Sequence, residues 1–260
     1  MTEPILTQRH GNILQVTLNR PEAYNALNLE MMEGLGKAMA SAAVDDSVKG
    51  VLLTGNGKAF CSGGDLKWIS QQSEEAGSVL YRLAPMFHLA ISEIRRMGKP
   101  VVAAINGVAA GGGFSLALAC DFRVMAQSAS MRQAYTSSGL SMDGGGSFAL
   151  PRIVGLARAM EIMAFDHPIS SALALEWRLV TKVVSDEEVG REALILLQNL
   201  AKTPLRSFAW SKKLMTESFT NTLETQLELE RQGISECAAH PDGQEGIRAF
   251  VEKRKPVFSA

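Results

Sequence analysis

Polar and apolar positions alternate from Asn12 to Leu18, the period of a half-buried strand, and Asn19-Arg20-Pro21 ends the run. Asn28 then stands at the N-cap position of a helix whose apolar spacing runs from Leu29 to about Ala43. Gly50 to Thr54 is a short apolar run followed by Gly55-Asn56-Gly57, which predicts a buried strand and a turn. Leu83, Phe87, Ile91 and Ile94 recur at helical spacing and predict a helix over Ser78 to Met97. Pro100 to Ile105 reads as a strand broken by Asn106-Gly107. Ala109 to Ala119 reads as a buried, glycine-started helix, and Phe122 to Ala126 as another strand. This alternation, continuing to about residue 185, predicts an α/β architecture with crossover connections. Beyond it the pattern changes. Glu187 to Ala201, Pro204 to Phe219 and Leu223 to Ala238 all carry amphipathic helical spacing with no strand between them. The expected organisation is an α/β core over residues 1–190 and a helical module over residues 191–260.

Composition narrows the function classes. With 260 residues, 46% of them hydrophobic, the chain can bury a substantial core. Its 26 basic and 27 acidic side chains leave a net charge of −1, so no global field attracts nucleic acid or a membrane surface. Three cysteines (Cys61, Cys120 and Cys237) with no CxxC pair argue against a disulfide framework and a zinc knuckle, and no metal site is expected. No segment approaches the roughly 18 apolar residues of a membrane span. Met1 to Gly11 lacks the basic-then-apolar order of a signal peptide. The expected location is cytoplasmic.

Two glycine clusters carry the candidate chemistry. The first, Ala59-Phe60-Cys61-Ser62-Gly63-Gly64-Asp65-Leu66-Lys67, follows soon after the Gly50 to Thr54 strand. The second, Asn106 to Gly113, directly precedes a predicted helix. Glycine lets the backbone turn its N–H groups toward a ligand, and a helix N-terminus adds unpaired donors and a positive dipole end. One donor from each loop would form an oxyanion hole. Close packing of the helix is the competing reason for such glycines. Neither cluster has the nucleotide-binding spacing GxGxxG or GxxxxGK[ST].

Ala59-Phe60-Cys61-Ser62-Gly63-Gly64-Asp65-Leu66, followed by Lys99-Pro100-Val101 and the run Ala104 to Gly113, resembles the enoyl-CoA hydratase/isomerase family, the crotonase superfamily. Leu118-Ala119-Cys120-Asp121, Leu150 to Gly155, Gly246 to Arg254, and Asn19-Arg20-Pro21 with Asn25-Ala26-Leu27 extend the similarity over nearly the whole chain. The resemblance implies a spiral of ββα units and a helical C-terminal region that builds trimers, often paired into hexamers. It implies an acyl-CoA substrate, with CoA as the carrier and no covalently bound cofactor. It assigns CoA contacts to Asn25, Ala26 and Leu27, and to Ser62, Gly63, Asp65, Leu66 and Lys67. Gly64 and Gly112 would supply the oxyanion N–H groups. Phe250 and Lys253 match residues that approach a neighbouring subunit's CoA; a packed aromatic and a solvated charge are the alternative roles.

The chain departs from the hydratases of that family where the chemistry is decided. Their two glutamates are replaced by Ser115 and Tyr135. A carboxylate instead follows Tyr135 as Asp143, a position that resembles aspartates of the isomerase and aromatic dehalogenase branches. Asp143 is therefore the candidate acid/base, the other role being a cap for a helix starting near Ser147. His88 matches a water-activating histidine of the dehalogenase branch, which carries tryptophan where this chain has Tyr135. A structural histidine is the alternative. Tyr135 is expected to wall the acyl pocket or to offer its hydroxyl to the substrate. Trp68, Met86 and Phe87 are candidate acyl-pocket residues, a place in the core being the alternative for each, and Cys61 is read as a packing residue. Three functions follow: a CoA-thioester isomerase using Asp143, a hydratase or dehalogenase of the same fold, and a non-catalytic acyl-CoA binding subunit.

Overall fold

The computed structural model describes residues 3–258; residues 1, 2, 259 and 260, at the outer ends of the expected core and helical module, lie outside the described residues. The chain opens with a hairpin of β1 (Ile5–His10) and β2 (Ile13–Leu18), followed by α1 (Leu29–Val44). The Asn28 side chain accepts from Met31 N at 3.0 Å, the N-cap that its sequence position predicts. β1 is not visible in the hydrophobic pattern because it is an edge strand whose middle residues are exposed.

Two-strand units then alternate with helices. β3 (Gly50–Gly55) leads into β4 (Ala59–Cys61), α2 (Leu66–Ser70) and α3 (Ala76–Arg96). β5 (Val101–Ile105) leads into β6 (Val108–Ala110) and α4 (Gly112–Ala119). β7 (Phe122–Ala126) leads into β8 (Ser130–Arg132), α5 (Gly146–Val154) and α6 (Leu156–Phe165). β9 (Ile169–Ser170), α7 (Ser171–Glu176) and β10 (Lys182–Val184) complete the strands. The first strand of each unit joins a six-stranded sheet of order β1-β2-β3-β5-β7-β10, parallel except at β1. The second joins a four-stranded sheet of order β4-β6-β8-β9. This is the spiral of ββα turns that the resemblance implies.

One expectation is corrected. Residues 109–110 belong to β6 rather than to the following helix, because Ala109 and Ala110 pair in parallel with Met131 and Arg132 of β8. The helix starts only after Gly111, whose N–H donates to Arg132 O at 3.1 Å.

β3 and β5 are buried almost throughout, which suits central parallel strands covered on both faces. α8 (Val189–Ala201) supplies part of that cover: Ala193, Leu197 and Ala201 join the core, and Leu197 packs against Gly50 of β3. The first helix of the expected C-terminal module thus lies on the sheet. α9 (Leu205–Glu217), α10 (Leu223–Ala239) and α11 (Pro241–Val251) follow, each packed on the next. α9 is tied to the core by Lys212, whose Nζ donates to Ile94 O and to Asp121 Oδ2, both at 2.8 Å. No helix among the described residues is long and apolar enough to cross a membrane.

Candidate active site

β4, β6 and β8 are parallel neighbours, so their C-terminal ends lie side by side and the loops that leave them converge. This is where an α/β sheet ordinarily binds its ligand. The three loops are Ser62–Asp65, Gly111–Gly112 and residues 133–143. Together with α3 they enclose a cavity of about 340 Å³ whose lining includes Gly64, Gly112, Tyr135 and Asp143.

The first two loops touch. Gly63 has φ +101°, and a methyl group there would lie 2.9 Å from Ala110 O and 3.1 Å from Gly112 N, so only glycine permits the approach. Leu27 fixes the peptide in between: its N–H donates to Gly63 O at 2.7 Å, and its carbonyl accepts from Asp65 N at 3.0 Å. Gly64 faces open space and Gly112 is the first residue of α4. Among the described residues no backbone carbonyl accepts from either N–H. At the other end of α4 the guanidinium of Arg123 is buried and donates to Cys120 O at 2.6 Å and Ala117 O at 3.4 Å. A cation at the helix C-terminus offsets the negative dipole end.

Asp143 reaches the cavity from the third loop. Its Oδ1 is 2.6 Å from Nε2 of His88, on the neighbouring turn of α3. An ionised carboxylate only accepts, so with Asp143 ionised Nε2 carries the proton and donates. The side chains are 50% and 42% exposed, and Oδ2 is left without a protein partner in this pair. His88 itself does not line the cavity; it meets the site through the Asp143 carboxylate.

The two positions where hydratase glutamates are expected also meet. Ser115 Oγ and Tyr135 Oη are 3.2 Å apart and buried, and the Tyr135 hydroxyl donates to Asp143 O at 3.2 Å. Tyr135 has one proton to give, so Ser115 is the donor in the first bond. Burial pushes the Tyr135 phenol up to about 12, which keeps it neutral. Gly146 packs close to this pair: a methyl group there would lie 2.5 Å from Ser115 Oγ. The linked hydroxyls of Ser115 and Tyr135 fasten the backbone of Asp143.

The third loop is braced from behind. Asp166 accepts from Ala134 N at 2.8 Å, from Ser137 N at 3.3 Å and from Arg132 Nε at 3.3 Å. Burial raises its carboxyl, but these donors outweigh it and hold the group below the ordinary aspartate range. The buried Gln133 donates to Thr136 Oγ1 and to Met163 O. Neither Asp166 nor Gln133 has a sequence signature: the partners of Asp166 lie 29 to 34 residues earlier, and Gln133 reaches both its own loop and Met163.

The expected CoA contacts divide in two. Leu27, Ser62, Gly63 and Leu66 line the cavity, and Lys67 is exposed on α2 beside it. Asn25 and Asp65 are committed to the fold. Asn25 Nδ2 donates to Asn56 O and Ala59 O, at 2.9 and 2.8 Å. Asp65 caps α2 through Trp68 N and pairs with Arg20 at 3.0 Å. Arg20 also donates to Ala26 O at 2.6 Å, so it clamps the two loops together; its place in Asn19-Arg20-Pro21 was the signal for it. Phe250 is 85% exposed, and neither it nor Lys253 lines the cavity of this chain. Of Trp68, Met86 and Phe87, only Phe87 lines it. Cys61 is buried and its thiol is pushed up to about 12 by burial, so it is packing and no nucleophile. Among the described residues no group of His, Cys, Asp and Glu could hold a metal ion.

The enoyl-CoA hydratase/isomerase family model matches residues 8–260. A 1,2-epoxyphenylacetyl-CoA isomerase of Escherichia coli (strain K12) is 36% identical over 260 residues, covering 100% of this chain and 99% of that protein. A probable enoyl-CoA hydratase of Rhodobacter capsulatus is 38% identical, covering 94% of this chain and 93% of its own. The crystal structure of an enoyl-CoA hydratase from Polaromonas sp. JS666 superposes with a TM-score of 0.91 at 38% identity, over 97% of this chain and 98% of that one. With its spiral of ββα turns and its paired glycine loops, the chain belongs to the enoyl-CoA hydratase/isomerase family, the crotonase superfamily.

Proposed function

We propose that the protein is an acyl-CoA isomerase that moves a double bond, or rearranges a CoA thioester, through an enolate. The observation that carries this reading is the placement of Asp143. It is the carboxylate that lines the cavity together with Gly64 and Gly112, while Ser115 and Tyr135 stand where a hydratase would hold glutamates. The thioester carbonyl accepts from the N–H groups of Gly64 and Gly112. Oδ2 of Asp143 takes a proton from one carbon, the negative charge moves to the thioester oxygen, and the same carboxyl returns the proton to another carbon. His88 holds Oδ1, which leaves Oδ2 to carry the proton. One donor of an oxyanion hole is typically worth about 10²–10³ in rate. The similarity to an epoxyphenylacetyl-CoA isomerase supports the class of reaction.

The CoA moiety is bound along Ala26–Leu27 and Ser62–Lys67, the assembly is a homotrimer or a dimer of trimers, and the enzyme works in the cytoplasm. Phe250 and Lys253, which do not line their own chain's cavity, reach a neighbour's CoA in that assembly.

Hydration or hydrolytic dehalogenation is the second reading. The His88–Asp143 pair favours it, since a histidine beside an aspartate can activate water, and hydratases are among the relatives. Asp143→Asn separates these readings when run beside wild type in water labelled with heavy oxygen. The isomerase loses turnover and its product carries no solvent oxygen. Labelled oxygen in the product would establish the second reading, and unchanged turnover would remove Asp143 from the mechanism. Tight CoA binding with no turnover over a broad thioester panel would make the protein a binding subunit.

A further inference from the structure

A second cavity, of about 900 Å³, lies between α3, α5, α9 and α10. It shares a wall with the acyl cavity. Phe87 lines the smaller space, and Ile91, one turn later on α3, lines the larger. Asp143 faces the smaller, and the next two residues, Gly144 and Gly145, face the larger. The ring of Phe87 is fully buried within this wall. A methyl group on Gly112 would lie 3.6 Å from Phe87 Cε1, and one on Gly144 only 2.2 Å from it. The ring is therefore wedged between the glycine whose N–H begins α4 and the glycine that follows Asp143. Ile91 continues the wall, its Cγ2 lying 3.5 Å from where a methyl group on Gly145 would be.

We propose that Phe87 sets the acyl-length limit of the site: its ring closes the acyl pocket between Gly112 and Asp143, and the 900 Å³ cavity behind it receives longer chains when that ring is reduced. The inference rests on the acyl-CoA reading of the smaller cavity. The wall behind the ring suits an alkyl chain. Ile91, Ala119, Phe148 and Ala149 line the larger cavity beside Gly144 and Gly145 and offer it apolar surface. Arg95, Arg206 and Lys213 also line this cavity and give it a polar part, while the residues next to the shared wall, Ile91, Gly144 and Gly145, are apolar.

The test is a binding ladder of saturated acyl-CoAs, from butyryl- to hexadecanoyl-CoA, measured by calorimetry against free CoA. Each methylene that finds apolar contact improves Kd about fourfold. For wild type Kd improves along the ladder and then stops improving at a fixed chain length. Phe87→Ala moves that break point to longer chains by several carbons and leaves the Kd of free CoA unchanged. Phe87→Leu, which removes less volume from the core, moves it by at least one carbon and carries the test should the alanine variant fail to fold by circular dichroism. A break point at the same length in every folded variant would overturn the assignment of Phe87. The acyl-CoA reading fails separately and visibly: in that case no wild-type thioester binds better than free CoA.

Discussion

Gly144→Ala perturbs the site through one methyl group, and its cost can be worked from the geometry. Gly144 has φ +60°, a left-handed conformation that costs an L-residue about 1–2 kcal/mol. The new Cβ would be 2.2 Å from Cε1 and 2.9 Å from Cζ of Phe87, a buried ring already close to Gly112. Overpacking of this kind costs about 1–3 kcal/mol. The sum is about 2–5 kcal/mol, measurable as a lower midpoint in urea unfolding at unchanged slope. The clash is relieved by moving the 143–144 peptide, which also moves the carboxylate of Asp143. A displacement near 1 Å is enough to lower kcat about a hundredfold, so kcat falls while KM for the thioester stays within a few-fold. Phe87→Leu in the same chain relieves the overpacking and leaves only the backbone part, so the double variant regains about 1–3 kcal/mol relative to additivity. Stability within 0.5 kcal/mol of wild type, or strict additivity of the two changes, would refute the packing argument.

Other consequences are as specific. Tyr135→Phe removes the hydroxyl that accepts from Ser115 and donates to Asp143 O, and costs about 1–2 kcal/mol by denaturant unfolding. Because burial holds that phenol near 12, no ionisation of Tyr135 enters the rate profile between pH 6 and about 10, and the wild-type and variant profiles have the same shape there. Asp166 has its folded-state carboxyl below the ordinary value, so it stabilises the fold above the unfolded pKa and loses that contribution as pH falls through the folded one. Asp166→Asn is therefore less stable than wild type at pH 7, and the gap narrows in acid, as urea midpoints at a series of pH values would record. Lys212→Met leaves Asp121 buried without its cation, the two side chains being 7% and 9% exposed, and costs about 3–5 kcal/mol. The double change Lys212→Met with Asp121→Asn costs clearly less than the sum of its parts; additive unfolding energies would show that the pair is not coupled.

The long periodic elements were legible because period and length speak together. α1 begins where Asn28 says it should, and α3, α8, α9 and α10 fall within a few residues of their predicted ends. β4, β6 and β8 have three residues each, too few for any period, and they build the sheet from which the site loops leave. That is why Ala109 and Ala110 looked like the first turn of a helix. The glycine clusters were legible as donors, since glycine's freedom is a property of the residue itself. What each loop touches was not. Asn25 and Asp65 sit in the right segments, but their polar atoms serve Asn56, Ala59, Arg20 and Trp68. The pairing of His88 with Asp143 and of Ser115 with Tyr135 joins residues on separate turns of the spiral, so only the folded chain displays it. The wall that Phe87 makes between two cavities belongs to the same class of fact.

In the proposed isomerase Asp143 shuttles a proton at a carbon acidified by the paired glycine loops. The most direct measurement of that step is mass spectrometry of aliphatic and aromatic enoyl-CoAs incubated with the enzyme in heavy water. Deuterium uptake or a shifted double bond with no added oxygen, lost in Asp143→Asn, is the expected result. A gain of one water or loss of halide without exchange, or exchange that survives Asp143→Asn, would contradict the proposal.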